Sequence, residues 1–303
     1  MNIQISEFNR RLFLFTVIMA IAGAAFAQKP IAIVDSACTT LHGPEKGSLV
    51  IIGGGTVTPE IWDRMVGLAG GAANARFVVV TNASGDETDD YHSAAIDTLA
   101  RRLGAKKVTR LHLKNIREAN DEKNLAALRE ATGIYFTGGR QWRIADVYLN
   151  TLAHQEFLNL LERGGVIAGS SAGASIQGSF LWRGDTKGAN ILVGNHTQGL
   201  GFLRNSVIDQ HLLVRNRQFD LPDFLKAAPR YIGLGLDEST AVVVTGDELE
   251  VIGNSYVAIY NTEDRPFFFL RRGQKYDLKE RKPIRDSQAN SGRNGMENSG
   301  QVF

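Results

Sequence analysis

The sequence contains little cysteine, little net charge and few long hydrophobic runs, and each shortage excludes a class of protein. Its only cysteine is Cys38, so no intrachain disulfide can form and stability must come from a buried core. The 34 basic and 32 acidic residues nearly cancel, which leaves a formal net charge of +2. No overall positive field therefore favours a nucleic acid or an anionic membrane as partner. The 43% hydrophobic content over 303 residues is typical of a globular protein.

One longer hydrophobic run lies at the N-terminus and indicates a secretory signal. Arg10 and Arg11 precede the apolar residues 12–22, and Ala25 and Ala27 supply the small side chains expected before a cleavage site. The run is shorter than the roughly 20 residues that span a bilayer, which argues against the alternative of an uncleaved anchor. We predict cleavage after Ala27, so that residues 1–27 are a signal peptide. The mature protein is then secreted or periplasmic, without membrane attachment.

Short β-branched runs alternate with segments of helical spacing through most of the chain. Strand-like runs occupy 48–52, 76–80, 108–113, 133–137 and 166–168, and helical spacing occurs at 59–70, 91–103, 120–131 and 144–162. This alternation predicts an α/β fold with a mostly parallel sheet, helices on both faces and a ligand site at the carboxyl ends of the strands. Runs at 233–236, 241–244 and 248–252 predict a strand-rich C-terminal extension. We expect one domain over 28–285 and a disordered tail over 286–303.

A serine between two glycines follows the strand at 166–168 and indicates a nucleophile elbow. Gly169 and Gly173 allow a sharp strand-to-helix turn, whose apex projects the Ser171 hydroxyl clear of the sheet. The Ala172 amide, near the start of the next helix, then faces a developing oxyanion, so the motif favours acyl transfer. Ser170 is the rival nucleophile, but only Ser171 has glycines two residues before and after it. The alternative for the whole motif is a small-residue turn that packs a helix closely on a strand.

An elbow serine needs a base, and His211 stands out among the six histidines. It follows Asp209 and Gln210 inside an apolar stretch, where burial of three polar groups without purpose is costly. Asp237 and Glu238 follow a predicted strand, and each carboxylate is placed at a strand end. A hydrogen-bonded structural histidine is the alternative that spacing alone leaves open.

Six motifs, taken in this order, resemble those of the cyanophycinases and the related aspartyl dipeptidases. They are IGGG at 52–55, TNASGD at 81–86, FTGGRQ at 136–141, the elbow, DQH at 209–211 and GLDE at 235–238. Together they cover most of the chain after residue 27 and are far more specific than any one motif. The resemblance implies a serine peptidase with a fold similar to that of class I glutamine amidotransferases.

The resemblance also implies a catalytic triad. In it Ser171 attacks the peptide carbonyl and His211 takes and returns the proton. Glu238 orients the imidazole and stabilises its charged form, with Asp237 as the fallback third member.

Further groups around the triad are implied by the same resemblance. The backbone amides of Gly139 and Ala172 are the expected oxyanion donors. The polar positions expected around the substrate are Gln141, Asp209, Gln210, Arg215 and Arg217. Guanidinium groups suit substrate carboxylates, and acidic or amide groups suit a substrate guanidinium. A solvated face is the alternative for the two arginines.

One departure from the family pattern concerns the segment after these arginines. Cyanophycinases often carry another arginine there, whereas this chain has Gln218, Phe219 and Asp220. Asp220 reverses the charge, which bears on recognition of the full polymer more than on the catalytic class.

Together, the residues and the resemblance predict an exported serine peptidase that hydrolyses cyanophycin, multi-L-arginyl-poly-L-aspartate, to β-Asp-Arg dipeptides. The alternatives are an aspartyl or isoaspartyl dipeptidase of the same family and a catalytically silent peptide-binding protein. We expect no cofactor and no metal, because the histidines lack ligand spacing and the glycine run at 53–55 lacks a P-loop lysine. The resemblance is compatible with a homodimer.

Overall fold

Two mixed β-sheets organise the part of the chain that the structure describes. The structure is a computed structural model, and it describes residues 42–85, 96–97, 100–260 and 265–285. The strands are β1 Ser48–Ile52, β2 Arg76–Val80, β3 Lys107–Leu111, β4 Gly133–Phe136, β5 Val166–Ser170, β6 Gly178–Phe180, β7 Leu203–Gln210, β8 Ile232–Leu236, β9 Thr240–Thr245, β10 Glu248–Gly253, β11 Tyr256–Tyr260, β12 Phe267–Arg271, β13 Lys275–Asp277 and β14 Lys282–Ile284. The helices are α1 Pro59–Leu68, α2 Ile116–Ala119, α3 Ala126–Glu130, α4 Gln141–Tyr148, α5 Leu152–Glu162, α6 Ala172–Ser175 and α7 Pro222–Ala227, with 3₁₀ turns at Asn82–Ser84 and Glu122–Asn124.

The large sheet contains nine strands in the order β14-β13-β10-β9-β1-β5-β4-β2-β3. The strands from β1 to β3 in this order are parallel, whereas β9, β10, β13 and β14 pair antiparallel. The prediction of a mostly parallel sheet is therefore wrong, and the fold is a mixed α/β fold. The reason is local: β9 and β10 are joined by the two residues Gly246 and Asp247, a connection that only antiparallel strands permit.

The small sheet contains five strands in the order β12-β11-β8-β7-β6. β6, β7 and β8 run parallel, and β11 and β12 complete the sheet with antiparallel pairs. Gln210 at the end of β7 lies opposite Leu236 at the end of β8. His211 and Asp237, which follow these two residues, therefore leave the sheet at the same edge.

Helices cover both faces of the large sheet, as predicted. Leu49 and Ile51 of β1 belong to the hydrophobic cluster that includes residues of α4 and α5. Val50 and Ile52 belong to a second cluster that includes residues of α1. β1 is buried on both faces for this reason, which explains why its sequence is a continuous apolar run rather than an alternating one.

Most predicted elements are present, but the helix predicted over 144–162 is interrupted. α4 ends at Tyr148 and α5 begins at Leu152, because Asn150 between them adopts the left-handed region with φ 59°. Among the described residues, no helix is long and apolar enough to cross a membrane. The predicted signal peptide, Cys38 and the tail from 286 lie outside the described residues, as does much of the predicted helix 91–103. These features, and the single domain over 28–285, stay predictions.

Candidate active site

The turn between β5 and α6 has the strained geometry expected of an elbow. Ser171 sits at its apex with φ 56° and ψ −110°, a conformation that a non-glycine residue rarely adopts. Its N–H donates to Ile52 O at 3.0 Å, which ties the apex to the end of β1. A Cβ at Gly169 would lie 2.2 Å from the Gly173 carbonyl oxygen, so the two arms of the turn approach as closely as the sequence predicts.

The structure brings the three side chains of the predicted triad together. His211 Nε2 lies 2.9 Å from Ser171 Oγ, and His211 Nδ1 lies 2.6 Å from Glu238 Oε1. A carboxylate only accepts, so the Nδ1–H donates to Glu238 and the bare Nε2 accepts the serine hydroxyl proton. We call Ser171, His211 and Glu238 the catalytic cluster.

Two glycines of the IGGG motif make room for this cluster, a role that the sequence alone does not indicate. A Cβ at Gly54 would lie 2.3 Å from His211 Cε1, and a Cβ at Gly55 would lie 2.6 Å from Glu238 Oε2. Both glycines also have positive φ, 120° and 65°. The sequence signal is the glycine run itself, which the sequence analysis uses as a family motif and tests as a phosphate loop without assigning it this role.

Burial controls the protonation of His211. Loss of solvent around the imidazole lowers its pKa below the ordinary value, the hydrogen bond to Glu238 opposes this, and the Arg215 charge lowers the pKa further. His211 is 7% exposed. The imidazole is therefore neutral at neutral pH, which is the form that can take a proton from Ser171.

Free backbone donors lie beside the elbow. Within the described ranges, the N–H groups of Gly139 and Ala172 donate to no protein acceptor. Gly138, the neighbour of Gly139, is close to the elbow serine, since a Cβ there would lie 3.5 Å from Ser171 Cβ. Such unpaired amides near a nucleophile can stabilise an oxyanion.

The rival serine is in a different environment. Ser170 is 8% exposed, and its side chain forms a hydrogen bond with Tyr135. Burial raises the pKa of the Tyr135 phenol to about 12, with the Ser170 contact opposing the rise. The Ser170 hydroxyl therefore belongs to the interior of the sheet rather than to the His211 pair.

Asp237, the fallback third member, does not touch the imidazole by any hydrogen bond that the structure describes. Its Oδ1 accepts from the N–H groups of Leu213 at 2.9 Å and Val214 at 3.1 Å. Its Oδ2 accepts from the Ser255 hydroxyl at 2.7 Å. The two adjacent carboxylates after β8 thus bind different parts of residues 211–214, which we call the histidine segment. Glu238 binds the His211 ring, and Asp237 binds the backbone that follows it.

Three of the predicted substrate-contacting residues lie in a buried hydrogen-bonded network in this structure. Asp209 is 0% exposed, and Arg183 grips it with Nε and Nη2, each 2.9 Å from a carboxylate oxygen. Arg217 Nη1 donates to the Gln210 carbonyl at 2.9 Å and to the Gln210 side chain at 3.2 Å. We call Arg183, Asp209, Gln210 and Arg217 the buried charge cluster. Its polar groups bind one another.

Gln141 is also buried, at the first turn of α4. Its amide donates to the carbonyls of Trp182 at 2.8 Å and Arg183 at 3.1 Å. Gln141 is 2% exposed, so in this structure its NH₂ group anchors the segment that carries Arg183.

Arg215 differs from the other predicted substrate residues because its side chain is exposed. Among the described residues its guanidinium has no hydrogen-bond or ion-pair partner, yet its charge reaches the His211 imidazole. Asp220, the residue that reverses the expected charge, accepts a hydrogen bond from Arg183. The sequence alone does not indicate this partner, because Arg183 precedes Asp220 by 37 residues and only the fold brings them together.

Known proteins are similar to this chain over most of its length. The model of peptidase family S51 matches residues 49–252, a range that contains the whole catalytic cluster. The cyanophycinase of Geminocystis herdmanii is 30% identical over 224 residues, covering 71% of this chain and 80% of the relative. The cyanophycinase of Trichormus variabilis is 30% identical over 222 residues, covering 71% of this chain and 73% of the relative. The resemblance inferred from the six motifs is confirmed.

A solved structure shares the fold. The crystal structure of a peptidase from an acI-B1 Actinobacterium superposes with a TM-score of 0.63 at 24% sequence identity. It covers 78% of this chain and 98% of the matched chain. The likeness shows a shared mixed α/β fold.

Proposed function

The chain belongs to peptidase family S51, and we propose that it hydrolyses cyanophycin to β-Asp-Arg dipeptides with Ser171 as nucleophile. One observation carries the proposal: a continuous hydrogen-bonded line from Ser171 through His211 to Glu238, with contacts of 2.9 and 2.6 Å. A serine at a strained apex, a neutral base and a carboxylate behind that base are what acyl transfer requires.

The proposed reaction proceeds in two stages. Ser171 Oγ attacks the peptide carbonyl carbon while His211 Nε2 takes the hydroxyl proton, and Glu238 stabilises the imidazolium that forms. The oxyanion accepts hydrogen bonds from the free N–H groups of Gly139 and Ala172. His211 then gives its proton to the leaving amine, and a water molecule, activated by the same imidazole, releases the acyl group from Ser171.

Arg215 is the proposed contact for a substrate carboxylate. Its guanidinium is exposed and has no described partner, and its charge lowers the pKa of His211. The arginine of a β-Asp-Arg unit carries a free α-carboxylate that such a fork can bind. In this proposal Gln141, Asp209, Gln210 and Arg217 support the wall of the site from behind. The cyanophycinase relatives supply the choice of polymer.

The proposal also includes three further expectations, which concern export, the fold class and the oligomeric state. Export to the periplasm or medium is supported by Arg10, Arg11 and the apolar residues 12–22. A closer relation to the class I glutamine amidotransferase fold and a homodimer are supported by the resemblance of the motifs.

The test is release of β-Asp-Arg from purified cyanophycin, measured by mass spectrometry beside a panel of α- and β-aspartyl dipeptides. We expect wild type and Ser170→Ala to release the dipeptide and Ser171→Ala to release none. Cleavage of the dipeptides without the polymer would replace the polymer by a dipeptide substrate. Absence of any Ser171-dependent hydrolysis would favour a peptide-binding protein and overturn the proposal.

A further inference from the structure

Three consecutive residues at and just after the end of β8, residues 236–238, bind the histidine segment. Leu236 O accepts from the Leu212 N–H at 3.1 Å, Asp237 accepts from the next two N–H groups, and Glu238 holds the imidazole. We infer that Asp237 is a positioning residue, which fixes the backbone of His211 while Glu238 fixes its ring. This inference rests on the proposed role of Ser171 as nucleophile.

The backbone of His211 needs such support. The residue has φ 53°, a left-handed conformation that is uncommon outside glycine and is kept only when its surroundings enforce it. A helical turn follows directly, since the Arg215 N–H donates to His211 O at 3.0 Å. Like the start of any helix, this turn has N–H groups without a partner inside it.

Asp237 supplies the missing acceptors from another part of the chain. Its Oδ1 receives the N–H groups of Leu213 and Val214, the second and third residues after His211. This is the work of an N-cap carboxylate, performed here by a residue 24 positions away from Leu213. A shift of this turn moves the Nε2 atom relative to Ser171.

The Asp237 carboxylate is itself held firmly. It is 6% exposed, and its Oδ2 accepts from the Ser255 hydroxyl at 2.7 Å. The Asp237 N–H donates to Tyr256 O at 3.2 Å, and the Ser255 N–H donates to the Thr240 hydroxyl at 2.7 Å. The carboxylate is thus engaged with backbone and with Ser255, and none of its described contacts reaches the imidazole.

The contacts of Asp237 require an oxygen acceptor but no negative charge, unlike the contact of Glu238 with the imidazole. Both backbone donors reach Oδ1, so an asparagine can accept them with its amide oxygen, while its NH₂ group faces the Ser255 oxygen, which can accept in turn. Asp237→Asn therefore keeps the positioning contacts, whereas Asp237→Ala removes them. If Asp237 acted through its negative charge instead, Ser171 would be labelled slowly in both variants.

The experiment measures the rate at which a fluorophosphonate probe labels Ser171, which requires no knowledge of the natural substrate. We expect Asp237→Ala to slow labelling by about 100-fold, the cost of a small misplacement of a catalytic group. We expect Asp237→Asn to label at nearly the wild-type rate, with the same pH midpoint as wild type. Ser255→Ala, which frees one side of the carboxylate, should slow labelling by about fivefold, the equivalent of one hydrogen bond.

Asp247→Ala is the matched control. Asp247 also accepts a backbone N–H from a distant residue, His42, at 2.6 Å, but it follows β9 near the amino end of β1, away from the site. Thermal unfolding of all variants is followed by circular dichroism. A control with a lowered Tm and a normal labelling rate separates loss of stability from loss of position.

The labelling rates of the Asp237 variants decide whether Asp237 has the positioning role. Slow labelling in Asp237→Ala with recovery in Asp237→Asn supports the positioning role. Equal loss in both variants means that the charge itself is required and overturns it, as does wild-type labelling in Asp237→Ala. If Asp237→Ala does not fold, Ser255→Ala decides, and its wild-type rate would overturn the role. If wild type itself is not labelled at Ser171, the proposed function fails, independently of Asp237.

Discussion

The catalytic cluster and the buried charge cluster meet at the neighbouring residues Gln210 and His211, and they differ in which polar atoms they leave free. His211 is neutral and presents Nε2 to a partly exposed serine, so this cluster keeps a proton-transfer path open. Asp209, two residues earlier, is bound by Arg183 and Trp182, and its carboxylate is enclosed. A polar residue beside the catalytic cluster can contact a substrate only through polar atoms that the fold leaves free. Arg215 has such atoms, whereas the Asp209 carboxylate is already bound.

The largest expected effect is a loss of catalytic rate when Glu238 of the catalytic cluster is replaced. Glu238→Gln should lower kcat by about 10⁴-fold, because a glutamine does not stabilise the imidazolium and permits the wrong tautomer. Since the Glu238 hydrogen bond raises the pKa of His211, its loss should move the acid limb of the pH–rate profile to lower pH. Steady-state kinetics across pH would check both. An unshifted acid limb with near-normal kcat would contradict the cluster.

Substitutions in the buried charge cluster should lower the stability of the fold rather than the catalytic rate. Asp209→Ala leaves the Arg183 guanidinium buried without its bidentate partner, so we expect the free energy of unfolding to fall by about 3–5 kcal/mol. Urea denaturation measures this, with Asp223→Ala as control because the Asp223 side chain is 94% exposed. A fully stable Asp209→Ala protein with reduced substrate affinity would reverse the assignment of Asp209.

A histidine outside both clusters separates acid loss of stability from acid loss of activity. Burial lowers the pKa of His154 to about 4, while its hydrogen bond to Leu200 O opposes this. The folded pKa lies below the ordinary value, so the stability contribution is present above about pH 6.5 and is lost as pH falls towards the folded pKa. We expect a loss of about 3 kcal/mol across that range.

His154→Gln should remove most of this dependence, because its amide can still donate to Leu200 O and carries no titrating proton. Denaturation midpoints between pH 4 and 7 would measure the effect. An equally steep loss of stability in the variant would assign the acid sensitivity elsewhere.

The smallest expected effect concerns the one predicted substrate residue that is exposed. Arg215→Ala should raise KM by about tenfold with little change in Tm, because it removes a solvent-exposed, charge-assisted contact. Arg215→Lys should recover part of the affinity, since the charge remains without the fork. An unchanged KM in the alanine variant would place the substrate carboxylate elsewhere.

The residues alone predict Ser171 as an elbow serine, because it lies between glycines after a strand. His211 and Glu238 each come shortly after a strand, but spacing alone leaves a structural histidine and Asp237 open, and the family resemblance makes the choice. The sequence could not predict the pairing of Asp209 with Arg183, since 26 residues separate them and only the fold brings them together. The substrate contact that the family resemblance implies for Asp209 stays a prediction.

Parts of the fold were hidden for similar reasons. The parallel half of the large sheet follows from strand–helix alternation, whereas the antiparallel half depends on short turns such as Gly246–Asp247, which strand propensity does not orient. The break at Asn150 depends on one left-handed residue inside an otherwise helical pattern. The space required by His211 and Glu238 explains Gly54 and Gly55 only once the loops are assembled.

The most direct test of the central claim is the site of covalent modification by a fluorophosphonate, located by tandem mass spectrometry of the labelled protein. The account predicts an adduct on Ser171 in wild type and in Ser170→Ala, and none in Ser171→Ala. An adduct on Ser170, or a wild-type protein that stays unmodified, would contradict the assignment of Ser171, His211 and Glu238 as the catalytic cluster.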